Sequence, residues 1–224
     1  MSAVFITATG TDIGKTFVTA GLIRELQLTG RRAEALKPVV SGFDMRNVVD
    51  SDTGVLLAAL GRSITLSEVE RISPWRLKAP LSPDMAAQLE GRSLNFDDLL
   101  GFSRDRIAAC AGTLLIEGVG GIMAPLNEIY TVLDWMAVLN LPVLLVAGSY
   151  LGSISHTLSA LDVLNRRGLK VISVVLSETP GSTVDLEQTI STIRRFAKSE
   201  IIGLPRLGAE THRHPTFERL ATLI

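Results

Sequence analysis

Short β-branched and leucine-rich runs alternate along this chain with stretches that carry apolar residues at helical spacing, and this alternation restricts the fold more than any other feature. Val4 to Ala8, Ala33 to Lys37, Thr113 to Ile116, Val143 to Ala147, Lys170 to Leu176 and Ile201 to Leu204 read as strands of the buried, parallel kind. Between them, Thr16 to Leu28, Asn95 to Ala111, Ser153 to Arg167 and Asp185 to Phe196 read as helices, with Ile154, Leu158, Leu161 and Leu164 forming one apolar face. Strands joined through helices pair in parallel, so the expectation is an α/β fold with a mostly parallel sheet and helices on both faces. Ligands of such sheets bind beyond the carboxyl ends of the strands, which says where to look for chemistry.

Composition narrows the function. The 224 residues contain no Ser/Gly-rich or charge-rich linker, so residues 1–224 are expected to form a single domain. Apolar residues make up 46% and charged residues 20%, against extended disorder. A formal net charge of −1 with scattered Lys and Arg leaves no footprint for nucleic acid or anionic lipid. No stretch approaches the length of a membrane span, and no basic segment precedes the first apolar run, so a cytoplasmic address is expected. Cys110, the single cysteine, sits among alanines and reads as a small core residue rather than a nucleophile.

The first strand runs into Ala8-Thr9-Gly10-Thr11-Asp12-Ile13-Gly14-Lys15-Thr16 and then an apolar helix. In that setting backbone N–H groups and the positive end of a helix hold phosphate, Lys15 neutralises β/γ charge and the Thr16 hydroxyl suits Mg²⁺. The strict phosphate-loop pattern fails, because Thr9 stands five positions before Gly14 and Gly10 comes one residue late. Three further segments follow strands. Glu117-Gly118-Val119-Gly120-Gly121 places a carboxylate at a strand end before glycines that admit close backbone approach, which makes Glu117 a candidate Mg²⁺ ligand. Asp50-Ser51-Asp52 precedes a Leu/Ala-rich helix and on its own reads as a helix cap. Lys37-Pro38-Val39-Val40-Ser41-Gly42 ends the second strand with a cation and a hydroxyl, though most strand-end lysines are merely solvated.

Taken in order and spacing, the Gly14-Lys15-Thr16 loop, Lys37 to Gly42, Asp52, Pro80-Leu81-Ser82-Pro83, Glu117 to Gly121 and Leu151-Gly-Ser-Ile-Ser-His156 resemble the dethiobiotin synthetases over nearly the whole chain. The resemblance implies a P-loop NTPase-like α/β domain and a homodimer with active sites near the subunit interface. It implies an ATP-dependent ligase that takes 7,8-diaminononanoate, CO₂ and a nucleoside triphosphate, works through a carbamate and its phosphorylated form, and releases dethiobiotin, ADP and phosphate. ATP is then a co-substrate and Mg²⁺ the cofactor. By the same likeness Lys37 is catalytic, Thr11 and Ser41 contact the substrate, and Thr16, Asp52 and Glu117 are the metal ligands. Asp12, Ile13, Gly14, Lys15, Thr16, Phe17, Asp52, Glu117, Gly118, Val119 and Gly120 would hold the phosphates, with Ser177, Glu178, Pro205, Arg206 and Leu207 around the base.

The chain departs from the family pattern at Ala8, where Gly usually opens the loop, at Asp12, where Glu is commoner, and at Ser177-Glu178, where an Asn-Asp pair reads adenine. Two other readings share parts of the sequence. A partition-type ATPase switch opens with the same strand, loop and helix but expects an early second lysine where Thr9 and Gly10 stand, and an amidotransferase-linked ligase expects a nucleophilic Cys. His156 reads as a packing or hydrogen-bonding residue at a helix start, and His212 and His214 as part of an exposed turn before the last helix rather than a metal pair.

Overall fold

A computed structural model describes residues 2–207 and 213–224. The chain opens with strand β1 (Ser2–Ala8) and helix α1 (Lys15–Leu28), then enters the sheet again as β2 (Ala33–Leu36). Next come β3 (Val39–Ser41), a 3₁₀ turn over Met45–Asp50, α2 (Asp52–Ala59), α3 (Leu66–Ile72) and β4 (Trp75–Leu77), which pairs in parallel with β3 as a separate small sheet. Helices α4 (Pro83–Leu89) and α5 (Phe96–Ala109) lead to β5 (Thr113–Glu117), α6 (Val132–Leu139) and β6 (Val143–Gly148). The chain then runs through α7 (Ser153–Arg166), β7 (Val171–Ser177), α8 (Leu186–Arg194), β8 (Glu200–Leu204) and α9 (Pro215–Ala221).

The main sheet is parallel throughout, in the order β2-β5-β1-β6-β7-β8. From β1 the chain steps to the β2 edge, returns through β5 and then crosses β1 to reach β6. The direction of winding therefore reverses at β1, and the crevice such a reversal opens lies at the loop that follows β1. Every residue of β5 and β6 is buried, which is why both read as unbroken apolar runs. Helix α1 packs with α2 and α9, α5 with α6, and α7 with α8. Phe5 of β1 meets Trp135 of α6 edge to face at 4.8 Å, and the indole N–H donates to Ser103 Oγ at 3.2 Å, so the largest buried side chain leaves no orphan donor.

All six expected strands are present, but several boundaries move. Strand β2 stops at Leu36, because Pro38 has no N–H to offer a ladder, and Val39–Ser41 turns away to pair with β4. Lys37 therefore follows the strand instead of ending it. Helix α5 ends at Ala109, so Cys110 is the residue after the helix, not inside it; it stays buried, in keeping with a packing role. Asn95 caps α5 by accepting from the N–H groups of Asp97 and Asp98, α7 ends at Arg166, and α8 ends at Arg194 with Phe196 left exposed. His214 caps α9 by accepting from Thr216 N–H at 3.2 Å, whereas His212 lies outside the described residues.

Candidate active site at the carboxyl edge of the sheet

The loop after β1 needs backbone that most residues resist. Gly14, the N-cap of α1, takes φ 100°, and Asp12, a residue type that tolerates the left-handed region, takes φ 56°. Lys15 folds back over the loop, and its ammonium donates to Gly10 O at 3.2 Å and to Gly120 O at 2.8 Å. The loop is thereby tied to the glycine segment after β5. Burial, and next to it the charge of Lys37, bring the Lys15 pKa down to about 8.

Next to it four side chains converge, from α1, α2, β5 and the residue after β2. Thr16 Oγ1 lies 2.7 Å from Asp52 Oδ1 and 2.8 Å from Glu117 Oε1. Lys37 Nζ donates to Glu117 Oε1 at 2.7 Å and Gly118 O at 2.9 Å, and lies 3.0 Å from Asp52 Oδ2. Thr19, one turn along α1 on the same face as Thr16, donates to Glu117 Oε2 at 2.8 Å. Glu117 is 0% and Lys37 2% exposed, so their charges survive burial only because each is paired. Burial alone would lower the Lys37 pKa, but the Glu117 and Asp52 carboxylates outweigh it and hold the ammonium above its ordinary value. Burial alone would likewise raise Asp52, and the Lys37 charge with the Thr16 hydroxyl brings it below the ordinary carboxylate range instead. The cap expected within Asp50-Ser51-Asp52 is Ser51, whose Oγ accepts from Gly54 N–H at 3.2 Å, and this leaves the Asp52 carboxylate to face Lys37.

A cavity of about 770 Å³ opens over this cluster. It is lined by Thr11 to Thr16, Lys37, Ser41, Asp52, Val119 and Gly120 from among the residues singled out in the sequence, with Glu117 buried beneath. Val40, Gly42, Asp50, Ser51, Pro80 to Pro83, Gly121, Ala124 and Pro125 complete the wall. Ser41 Oγ is buried with no hydrogen-bond partner among the described residues. Phe17 and Gly118 do not line the cavity; Phe17 tilts against Phe217 at 6.1 Å. Ser177, Glu178, Pro205, Arg206 and Leu207 form a separate group at the ends of β7 and β8. There Glu178 N–H donates to Leu204 O at 2.9 Å, and Glu178 Oε2 accepts from Arg206 N–H at 2.7 Å. A Cβ on Gly14 would lie 3.3 Å from Ser177 Oγ, so this group begins against the loop. Sequence reasoning missed Thr19, although its place three residues after Thr16 was the available signal.

Residues 2–209 match the family described as an AAA domain. An ATP-dependent dethiobiotin synthetase BioD from Acidiphilium cryptum is 48% identical over 196 residues, 87% of this chain and 88% of that protein. A protein of the same name from Methylobacterium nodulans is 47% identical over 213 residues, 93% of this chain and 95% of its own length. The chain belongs to the dethiobiotin synthetase family. Solved structures supply the fold alone. The septum site-determining protein MinD complexed with Mg-ADP from Pyrococcus horikoshii superposes with a TM-score of 0.61 at 16% identity, covering 98% of this chain and 94% of that one. A ParA family ATPase from Chlorobium tepidum gives 0.57 at 12% identity, covering 99% and 98%. This member of the synthetase family thus shares its framework with both of those proteins.

Proposed function

We infer that the protein is an ATP-dependent dethiobiotin synthetase, a carbon–nitrogen ligase that closes the ureido ring of dethiobiotin from 7,8-diaminononanoate, CO₂ and ATP. The observation that carries this reading is the meeting of Lys15, Lys37 and the Thr16, Asp52 and Glu117 oxygens at one wall of the cavity beside the loop, in a chain of this family. A carbamate oxygen attacking a γ-phosphoryl group needs positioning and charge neutralisation more than covalent help. Loop N–H groups and the start of α1 would hold the phosphates between Asp12 and Thr16, with Lys15 against β/γ charge. Lys37 would stand against the charge that builds on the carbamate and γ-phosphate. Thr11 and Ser41 would hold the carbamate or its parent amine; an unpartnered buried hydroxyl at Ser41 suits a polar ligand atom. The second amine then attacks the phosphorylated carbamate carbon, phosphate leaves, and the ring closes.

Mg²⁺ fits the donors present. Thr16, Asp52 and Glu117 bring hard oxygens together, and among the described residues no three His, Cys, Asp or Glu side chains gather into a cage, which is the sparse protein ligation Mg²⁺ accepts beside phosphate and water. When bound it would supply further neutralisation of the phosphates. The base would lie against Ser177, Glu178 and Pro205 to Leu207. Residues 1–224 would act as one domain, in a homodimer, in the cytoplasm; no helix among the described residues is long and apolar enough to cross a membrane.

A coupled assay with the diamine, bicarbonate and MgATP tests the reading. Phosphate release should depend on the diamine and yield dethiobiotin. Release at the same rate without the diamine would favour the partition-type ATPase switch instead. Glu117→Gln should weaken turnover across a Mg²⁺ titration, and wild-type behaviour would remove Glu117 from metal binding.

A further inference from the structure

At the opposite end of the sheet from the phosphate loop, a second cavity of about 330 Å³ lies over the first residues of β2 and β5. Arg32, Arg71 and Arg106 line it, and Glu34 is the single acid in its wall. That acid is fully engaged: Arg62 donates to Glu34 Oε1 and Arg71 to Oε2, each at 2.6 Å. Arg62 also reaches Glu68 at 3.2 Å. Arg62 and Arg71 thus take up both carboxylates, and Arg32 and Arg106 form no ion pair among the described residues. Arg71 Nε is buried without a hydrogen-bond partner, an unmade donor of the kind native proteins seldom retain. Burial, together with repulsion from Arg71, lowers the Arg106 pKa from its ordinary value.

A guanidinium group does not relieve such crowding by losing its proton at physiological pH, whereas an anion entering the cavity would relieve it. Its planar donors match carboxylate and phosphate oxygens in pairs. We propose that this cavity is a binding site for a compact polyanion, phosphoryl or polycarboxylate, held by Arg32, Arg71 and Arg106. The site is separate from the phosphate loop: Leu114 in its wall and Glu117 in the candidate active site are three residues apart on β5, about 10 Å along a strand. It stands whether or not the proposed synthetase reaction is correct.

The test uses the full chain carrying Lys15→Ala, which weakens the phosphate loop, titrated by calorimetry with inorganic pyrophosphate and, in a second arm, with tricarballylate. At least one arm should show a saturable site, with amide shifts centred on Gly112 and Leu114, and the tighter arm tells phosphoryl from carboxylate recognition. Adding Arg106→Gln should lower that affinity by about tenfold or more, the loss expected for one charge-assisted contact. Arg106 takes no part in the Glu34 pairs, so the fold should tolerate its replacement; Arg106→Lys, keeping charge without the fork, should fall between. The proposal is overturned if neither anion saturates by about 10 mM, if Arg106→Gln binds as tightly as its parent, or if the shifts are confined to residues 10–16.

Discussion

The proposed role of Lys37 is the one that a single change tests most directly. Its ammonium makes three short contacts, to Glu117 at 2.7 Å, Gly118 O at 2.9 Å and Asp52 at 3.0 Å, and is 2% exposed. Lys37→Gln keeps a donor and removes the charge. One preorganised donor to developing charge is worth about 2.7–4 kcal/mol, so turnover should fall roughly a hundred- to a thousandfold. The same change leaves Glu117, 0% exposed, without its cation. Breaking a buried pair costs about 3–5 kcal/mol, and because Thr16 and Thr19 still hold the carboxylate, the lower end applies. For a chain of this size about 3 kcal/mol corresponds to a Tm lower by roughly 6–12 °C. Turnover at saturating diamine, bicarbonate and MgATP, measured well below the variant's Tm, separates the two effects. A folded Lys37→Gln protein with near-normal turnover would refute the catalytic role, and an unchanged Tm would refute the buried pairing.

Three further outcomes follow from named contacts. Thr19→Val, nearly isosteric, frees Glu117 Oε2 and should weaken Mg²⁺ affinity in the presence of ATP by about tenfold, with Thr19→Ser restoring it; calorimetric titration reads this, and an unchanged affinity would make Thr19 a packing residue. Discrimination among ATP, CTP and GTP should be weak, because Ser177 offers one hydroxyl and Glu178 is already committed to Arg206 N–H, so a preference for ATP of about a thousandfold or more in competition assays would contradict it. Asp134 completes the capping box of α6 with Thr131 and meets Arg167 at 3.2 Å; burial opposes ionisation, but these bonds win and set its pKa below the ordinary value. Its contribution is therefore present above the unfolded pKa and lost as pH falls through the folded one, so Asp134→Asn should cost about 1 kcal/mol at pH 7 and less in acid, as denaturation at pH 7 and below pH ~3.5 will show.

How far the sequence reaches can be read from these same residues. The central strands β5 and β6 were legible because every residue in them is buried, and burial on both faces leaves an apolar run that needs no partner to be recognised, whereas the edge strands β2 and β8 carry Glu34 and Glu200 and were read from their β-branched or alanine-leucine cores. The loop ending Gly14-Lys15-Thr16 was legible because a strand, a turn and a helix start adjoin in the chain. The β3–β4 pair, only three residues per strand, and the short helices α3, α4 and α6 were not, since so few residues carry no period of their own. Asp50-Ser51-Asp52 shows the boundary: local rules predicted a cap, and the cap is there at Ser51, but the contact of Asp52 with Lys37 comes from the tertiary placement of α2 and has no local signature. Thr19 meets Glu117 across 98 positions, and Arg71 meets Glu34 across 37. Local pattern determined what each segment becomes. The reversal of winding at β1 decided which segment ends meet, because contacts made across the sheet depend on strand order, and strand order is set by how all the elements bury their faces together.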